Sequence, residues 1–233
     1  MLTALVMFFA TFVQGSAGFG MALVSMPLLV GVLGVRTATP LVALLGSATE
    51  IIMLVRYREA FNWRAVARLS AASLVGIPLG VVLLGRLDEQ IVTTALGVVI
   101  IGYAIYALAG PALPQLAHRA WAYSFGFVAG LLSGAYNTSG PAVVMYGSCR
   151  RWLPAEFKSN LQGFFLFNSV MVLLVHGLSG NFTPVVLHNF LLGMPTAVLG
   201  LLAGFCLDRR LNPQLFRRIV LVLLLVLGVR LLI

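Results

Sequence analysis

Uncharged hydrogen-bonding groups and glycines cluster at two places in a sequence that is otherwise mostly apolar. The two clusters are Gln14, Ser16, Gly18 and Gly20, and then Asn137, Thr138, Ser139 and Gly140. Hydroxyl and amide groups can donate hydrogen bonds to an anion without placing a full charge in an apolar environment. The clusters therefore predict an anion-binding site, although the same side chains could simply cap helix ends.

Each cluster lies at a glycine-rich break inside an apolar segment. Glycine permits the positive-φ turns that end one helix and begin the next. The second helix of each pair would begin near 19–21 and near 141–143. Pro141 suits the first helical turn, because an N–H there would have no partner within the helix. The first N–H groups of such a helix have no helical partner and are partly positive. We expect two of these helix ends, brought together, to hold an oxyanion.

Glu50 is an ionisable side chain inside an apolar run. A carboxylate at membrane depth is by default a functional candidate, here for carrying a proton. Glu50 is only six residues before Arg56, so it could instead reach the membrane interface or pair with an arginine. Cys149 and Cys206 are isolated and no metal-ligand spacing occurs, so we expect neither a metal nor another cofactor.

The composition places these residues in a membrane protein. The chain has 233 residues, of which 61% are hydrophobic and 9% charged, whereas soluble domains carry roughly 25% charged residues. We therefore expect the lipid bilayer to cover most of the surface. The net charge of +9 comes from basic residues in short loops, which indicates control of membrane topology rather than binding to nucleic acid.

Six apolar stretches are long enough to cross a bilayer core of about 30 Å as helices. These predicted spans are 38–55, 65–85, 91–109, 158–176, 184–205 and 213–233. The broken segments 1–35 and 121–149 differ, because the arm before the first break has 14 residues and would reach only about 21 Å. Asn168 and Ser169 lie inside one predicted span, where we expect hydrogen bonds between helices.

The two halves of the chain repeat each other. Gly76-Ile77-Pro78 recurs as Gly193-Met194-Pro195, 117 positions later. We therefore expect a single integral membrane domain made of an N-terminal repeat, 1–110, and a C-terminal repeat, 121–233. Matched breaks in duplicated halves are typical of transporters that bind their substrate between the repeats. Glycines spaced by four, such as Gly76 with Gly80 and Gly200 with Gly204, predict close helix packing inside the molecule.

Charge distribution favours an inverted arrangement of the repeats. If each broken segment returns to its own side, each half has three spans, and most of the 15 basic residues fall on one side. They are Arg56, Arg58, Arg64, Arg68, Arg119, Arg150, Arg151, Lys158, Arg209, Arg210, Arg217 and Arg218. That side is predicted to be cytoplasmic, with both termini outside. If each broken segment crossed once instead, the charge bias would reverse between the halves.

The segments at the breaks resemble the TauE/SafE family of membrane transporters, the sulfite-exporter-like group. The resemblance rests on 15–20, which runs on to Met26-Pro27-Leu28-Leu29, and on Leu132-Ser133-Gly134 with Ser139-Gly140-Pro141. It implies export of sulfite, sulfonates or related small sulfur-containing anions. It also implies a bacterial inner (plasma) membrane location. A homodimer is left open.

These observations favour a secondary transporter that works by alternating access, with its substrate held between the two broken segments. A transporter or channel for another small anion, such as a carboxylate, sulfate or thiosulfate, is the alternative. An intramembrane hydrolase is disfavoured because no Gly-x-Ser-x-Gly motif is present. A scaffold is disfavoured because it would not need unwound backbone in the membrane. No phosphate-binding loop motif occurs, so we expect ATP not to supply the energy.

Overall fold

The computed structural model describes residues 2–110, 113–207 and 213–232, and the regular structure in these ranges is entirely helical. Its ten α-helices are α1 (Leu2–Ala17), α2 (Met21–Leu33), α3 (Val35–Tyr57), α4 (Trp63–Arg86), α5 (Glu89–Ala109), α6 (Trp121–Tyr136), α7 (Gly140–Cys149), α8 (Pro154–Leu178), α9 (Pro184–Leu207) and α10 (Pro213–Arg230). A short 3₁₀ turn, Arg58–Ala60, joins α3 to α4. Arg209 and Arg210, on which the charge argument draws, lie outside the described residues.

Five of these helices are long and apolar enough to cross a membrane. They are α3, α4, α5, α8 and α9, with mean hydropathies between 1.7 and 2.2, and they contain the first five predicted spans. Large apolar side chains such as Leu191 and Val226 are exposed by 69% and 62%, which suits contact with lipid. The prediction of an all-helical integral membrane protein is therefore confirmed. The sixth predicted span, 213–233, begins as α10, whose 18 residues include three arginines, and it stays a prediction.

Four helices are too short to cross a bilayer alone. Helices α1, α2, α6 and α7 have 16, 13, 16 and 10 residues, and the longest of them reaches only about 24 Å at 1.5 Å per residue. They form two consecutive pairs, interrupted at 18–20 and at 137–139. Both interruptions fall within the glycine-rich segments. The return of each pair to its own side of the membrane stays a prediction.

Helices from the two halves of the chain pack against each other. Helix α4 runs along α6, α1 runs along α9, α3 contacts α8, and α5 contacts α10. Glycines allow the closest approaches: a β-carbon at Gly80 would lie 3.0 Å from the Cα of Gly134, and one at Gly204 would lie 2.9 Å from the Cα of Gly15. The glycines spaced by four thus lie at helix contacts inside the molecule, and they let the backbones touch.

Helix α3 lies at the centre of the bundle and contacts α2, α8 and α9. In its most apolar window, 67% of the residues are buried, against 28% for α9. A polar side chain on the buried face of α3 therefore faces protein or an internal cavity rather than lipid. Glu50 occupies such a position, two turns before the end of the helix.

Candidate functional site

A cavity of about 40 Å³ lies between the two helix breaks. Helices α1, α2, α3, α6, α7 and α8 all contribute to its lining. Six of the eight predicted ligand residues line it, namely Gln14, Gly20, Asn137, Thr138, Ser139 and Gly140. The volume is enough for a few water molecules. The two clusters that are more than a hundred residues apart in the sequence therefore meet at one small cavity.

The other two predicted ligand residues lie outside this cavity. The Ser16 hydroxyl donates a long hydrogen bond of 3.4 Å to the carbonyl of Gly204 in α9. Gly18 accepts a hydrogen bond at its carbonyl oxygen from the Gln162 amide of α8. Both residues thus contribute to contacts between helices around the first break.

The first break owes its shape to two glycines in the left-handed region. Gly18 has φ 83° and Gly20 has φ 110°, values that are favourable only without a β-carbon. The Gly18 N–H still donates to the Gln14 carbonyl at 2.8 Å, which closes the last turn of α1. Gly20 then begins α2 with no side-chain cap. The first residues of α2 therefore present backbone N–H groups that have no partner within the helix.

The second break is closed by Asn137, which has φ 50° and ends α6. Its N–H donates to the Ser133 carbonyl at 2.7 Å, and the Thr138 N–H donates to the Leu132 carbonyl at 3.2 Å. This pairing is typical of a helix end that turns through a left-handed residue. The Thr138 hydroxyl donates to the Tyr136 carbonyl at 2.9 Å. Capping thus accounts for the backbone at this break and for one hydroxyl.

Ser139 precedes α7 but does not cap it. Its hydroxyl makes no capping hydrogen bond to the helix, and the residue lines the cavity. Pro141 lies in the first turn of α7, where no helical bond is lost. The capping interpretation of the cluster therefore does not account for Ser139.

Two helix N-termini reach the cavity. Residues 21–23 of α2 and Gly140 of α7 are part of its lining. Each N-terminus carries a partial positive charge equivalent to about half an elementary charge. Among the described residues that line the cavity, Glu50 is the one ionisable side chain. Within this lining, attraction for a small anion therefore comes from backbone dipoles and uncharged donors.

The Glu50 side chain is buried and lines the same cavity. One of its carboxylate oxygens accepts a short hydrogen bond from the Ser169 hydroxyl of α8. The Arg56 guanidinium lies 4.4 Å from the ring centroid of Phe205 instead. Of the two interpretations of Glu50, the geometry favours the one in which the carboxylate faces the interior.

Helix α8 contributes residues that the sequence did not identify as ligands. Phe165, Asn168 and Ser169 line the cavity, and their spacing of three and four places them on one helix face. The Asn168 amide accepts from the Ser73 hydroxyl at 2.7 Å and donates to the Ser133 hydroxyl at 3.0 Å. These bonds join α8 to α4 and α6, as expected for polar groups within a span. The adjacent polar pair inside the predicted span was the available signal.

A second, larger cavity of about 340 Å³ adjoins the first. Phe19, Gly20 and Leu23 line both cavities, so this part of the first break separates them. The second cavity is mostly apolar, but the polar residues Ser16, Ser148 and Lys158 also line it. Lys158 belongs to the side of the molecule that the charge distribution predicts to be cytoplasmic.

Known proteins with similar sequences are membrane exporters and transporters. The model of the family described as "Sulfite exporter TauE/SafE" matches residues 3–231. A protein from Cupriavidus necator named "Probable sulfite/organosulfonate exporter TauE" is 27% identical over 217 residues, which cover 90% of this chain and 84% of that protein. A "Probable inner membrane transporter protein TsaS" from Comamonas testosteroni is 27% identical over 176 residues, or 73% and 72% of the two chains. No solved structure matches the chain significantly.

Proposed function

Because the chain belongs to the sulfite exporter TauE/SafE family, we propose that it exports a small sulfur-containing anion, of the sulfite or organosulfonate type, as a secondary transporter. The family is one of membrane transporters, so the chain is not an enzyme. One relative, matched over 84% of its own length, is named a probable sulfite/organosulfonate exporter. The observation that carries the proposal is the cavity where two helix N-termini and six of the predicted ligand residues meet.

The substrate is held at that cavity by groups that suit an oxyanion. Sulfite and sulfonate groups each present three oxygen atoms that accept hydrogen bonds. The N-termini of α2 and α7 offer backbone N–H groups, and Gln14, Asn137 and Ser139 offer amides and a hydroxyl. Because no full positive charge has to be buried, the site can release the anion as well as bind it. Selectivity for the anionic group then follows from dipole direction and donor number.

The second cavity is the route between this site and the cytoplasmic side. It adjoins the site at Phe19 and Gly20, and it contains Lys158, whose positive charge attracts anions. Phe19 is flanked by Gly18 and Gly20, both with positive φ. Rotation at these two glycines moves the Phe19 ring, and we assign to that ring the role of a gate between the cavities.

Alternating access requires two halves that can exchange roles, and the packing supports such a relationship. If the two halves are exchanged, the contact of α4 with α6 becomes that of α9 with α1, and both are observed. The contacts of α3 with α8 and of α5 with α10 map onto themselves. We therefore infer inverted repeats that rock around the site, with the basic loops on the cytoplasmic side of a bacterial inner membrane.

Glu50 couples transport to a proton gradient in this proposal. It is the ionisable residue of the described cavity lining, and its hydrogen bond to Ser169 joins α3 of one half to α8 of the other. A carboxyl group that gains or loses a proton changes both the charge beside the anion and that contact. Binding of the substrate and of the proton are thereby linked.

The proposal is tested with the purified full chain in proteoliposomes. We expect flux of sulfite and of a small sulfonate, measured in parallel with sulfate, thiosulfate and a carboxylate. Asn137→Gly removes the amide but retains the left-handed backbone, so it isolates the ligand role from strain. Asn181→Gly, in the loop before α9, is the control.

Three results are informative. A fall in flux for Asn137→Gly with normal flux for the control supports the site. Preferred transport of sulfate or a carboxylate would assign that anion as the substrate instead. The uncharged donors of the cavity would suit it as well. Equal flux in Asn137→Gly and the unmodified protein would mean that the substrate binds elsewhere.

A further inference from the structure

A third cavity, of about 370 Å³, differs from the first two because most of its polar lining is positively charged. Its lining contains four arginines, Arg64, Arg68, Arg119 and Arg150, and one carboxylate, Glu156. These residues come from the start of α4, the segment before α6, the segment after α7 and the start of α8. We call this cavity the arginine pocket. None of its lining residues is shared with the cavity between the breaks.

The arginine pocket lies at the level of a membrane surface. Arg64 and Arg68 belong to the first two turns of α4 and Glu156 to the first turn of α8, and both helices are long enough to cross a membrane. Trp152 also lines the pocket, and tryptophan is enriched at the depth of lipid headgroups. A ligand in this pocket would therefore be at the height of a phospholipid phosphate.

The surroundings of the pocket leave it with excess positive charge. The Glu156 carboxylate accepts a hydrogen bond from the Asn62 amide at 3.3 Å, and it shares the pocket lining with four arginines. Arg150 is held in place because its Nη1 donates to the carbonyls of Leu116 and Ala117 at 2.7 and 2.9 Å. A guanidinium has five N–H donors, so further donors remain on Arg150 for a ligand.

We propose that the arginine pocket binds the phosphate group of an anionic phospholipid in the adjacent leaflet. Guanidinium groups match phosphate oxygens in charge and in the geometry of paired donors. Basic pockets between membrane helices at the cytoplasmic surface suit anionic headgroups. Arginines that served only to orient the chain in the membrane would not need to share one cavity. The same chemistry would also accept free phosphate, so the experiment includes both sources.

The test uses the purified full chain in neutral detergent and measures its thermal unfolding midpoint as each probe is titrated. The probes are phosphatidylglycerol, phosphatidylcholine and inorganic phosphate. The variant combines Arg64→Gln with Arg119→Gln, whose side chains are both exposed. Arg86→Gln is the control, because it lies at the opposite end of α4 and is also exposed.

We expect phosphatidylglycerol to raise the midpoint, with phosphatidylcholine having little effect. The apparent affinity for phosphatidylglycerol should fall about tenfold in the double variant, because each basic side chain near a membrane surface contributes to anionic lipid binding, and should not change in Arg86→Gln. Raising the salt concentration should weaken the response of the unmodified protein.

Equal responses to the two lipids would overturn the proposal, as would equal affinity in the double variant and the unmodified protein. A response to inorganic phosphate that matches the lipid and is lost in the double variant would support the pocket but assign it free phosphate. Binding that does not weaken at high salt in the unmodified protein would contradict it even if the double variant failed to fold.

Discussion

Gly46 of α3 lies directly against the Asn137 amide of the second break. A β-carbon at position 46 would lie 3.4 Å from Nδ2 of Asn137 and 3.8 Å from one carboxylate oxygen of Glu50. The missing side chain therefore leaves the space in which a donor from one half of the chain faces a carboxylate from the other. Gly46 has an ordinary helical backbone and a β-carbon there would make ordinary van der Waals contacts, so alanine fits at this position but takes up space beside the cavity.

Gly46→Ala should reduce transport without reducing stability. The added methyl group occupies part of a cavity of about 40 Å³, so we expect the KM for the anion to rise about tenfold or more, as a loss of about 1.4 kcal/mol in binding would produce. Replacing glycine by alanine inside a helix stabilises it by about 0.5–1 kcal/mol. Gly102→Ala of α5 is the control, because nothing lies within 4 Å of its β-carbon. An unchanged KM measured in proteoliposomes would contradict a binding role for this cavity.

Glu50→Gln should uncouple transport from the proton gradient. Glutamine has the shape of glutamate and can still hydrogen-bond with the Ser169 hydroxyl, but it cannot carry a proton. We expect exchange of the anion across the membrane to continue while an imposed pH gradient no longer accelerates net flux. The measurement compares flux with and without a gradient in proteoliposomes. Glu89→Gln is the control, because Glu89 accepts from the Val35 N–H at 2.8 Å outside the cavity. An intact response of Glu50→Gln to the gradient would exclude this role.

The positions of the breaks and of most spans could be predicted because they depend on local composition. Glycine and apolar run length determine where a helix can end and whether it can cross a bilayer. The inward face of each helix could not be predicted with the same detail. Gln14 and Ser16 are two residues apart and so project from different sides of α1: Gln14 lines the cavity, whereas Ser16 contacts α9.

Helix α8 shows the same difficulty, because two of its polar residues line the cavity although the sequence did not predict them as ligands. The sequence predicts Asn168 and Ser169 only as hydrogen-bonding groups between helices, and they do bond across helices. Their position beside the cavity depends on the packing of α8 against α3 and α4, which involves partners about a hundred residues away. Periodicity within one segment contains no information on such distant contacts.

Gly80→Ala should destabilise the protein because α4 and α6 touch at this point. A β-carbon at Gly80 would lie 2.8 Å from the Ala135 nitrogen and 3.0 Å from the Gly134 Cα. Backbone cannot move aside as a flexible side chain can, so we expect a loss of about 1–3 kcal/mol. Gly85→Ala in the same helix is the control, because nothing lies within 4 Å of its β-carbon. The unfolding midpoint of each variant in detergent gives the comparison, and equal midpoints would show that the helices separate without cost.

The C-terminus should lie outside the cytoplasm. The inverted arrangement places three spans in each half and collects most basic residues on one side, which is the side retained in the cytoplasm. An alkaline phosphatase reporter fused after residue 233 should therefore be active, and a reporter that is active only in the cytoplasm should be inactive there. The same pair of reporters fused after Arg58 should give the reverse pattern. Cytoplasmic activity at the C-terminus would eliminate the six-span inverted arrangement.

Phe19→Ala should open a leak between the two cavities. The Phe19 ring lines both of them and packs edge-on against Tyr103, with the centroids 6.5 Å apart. Removing the ring joins the second cavity, of about 340 Å³, to the cavity between the breaks. The anion should then reach the site without movement of a ring at position 19. We expect faster downhill flux and a loss of gradient-driven accumulation in proteoliposomes, whereas Phe19→Trp, which keeps the gate bulky, should slow downhill flux. Phe9→Ala is the control, because Phe9 is exposed on the outer face of α1. Unchanged coupling in Phe19→Ala would place the gate at another residue, because a barrier that survives loss of this ring cannot depend on it.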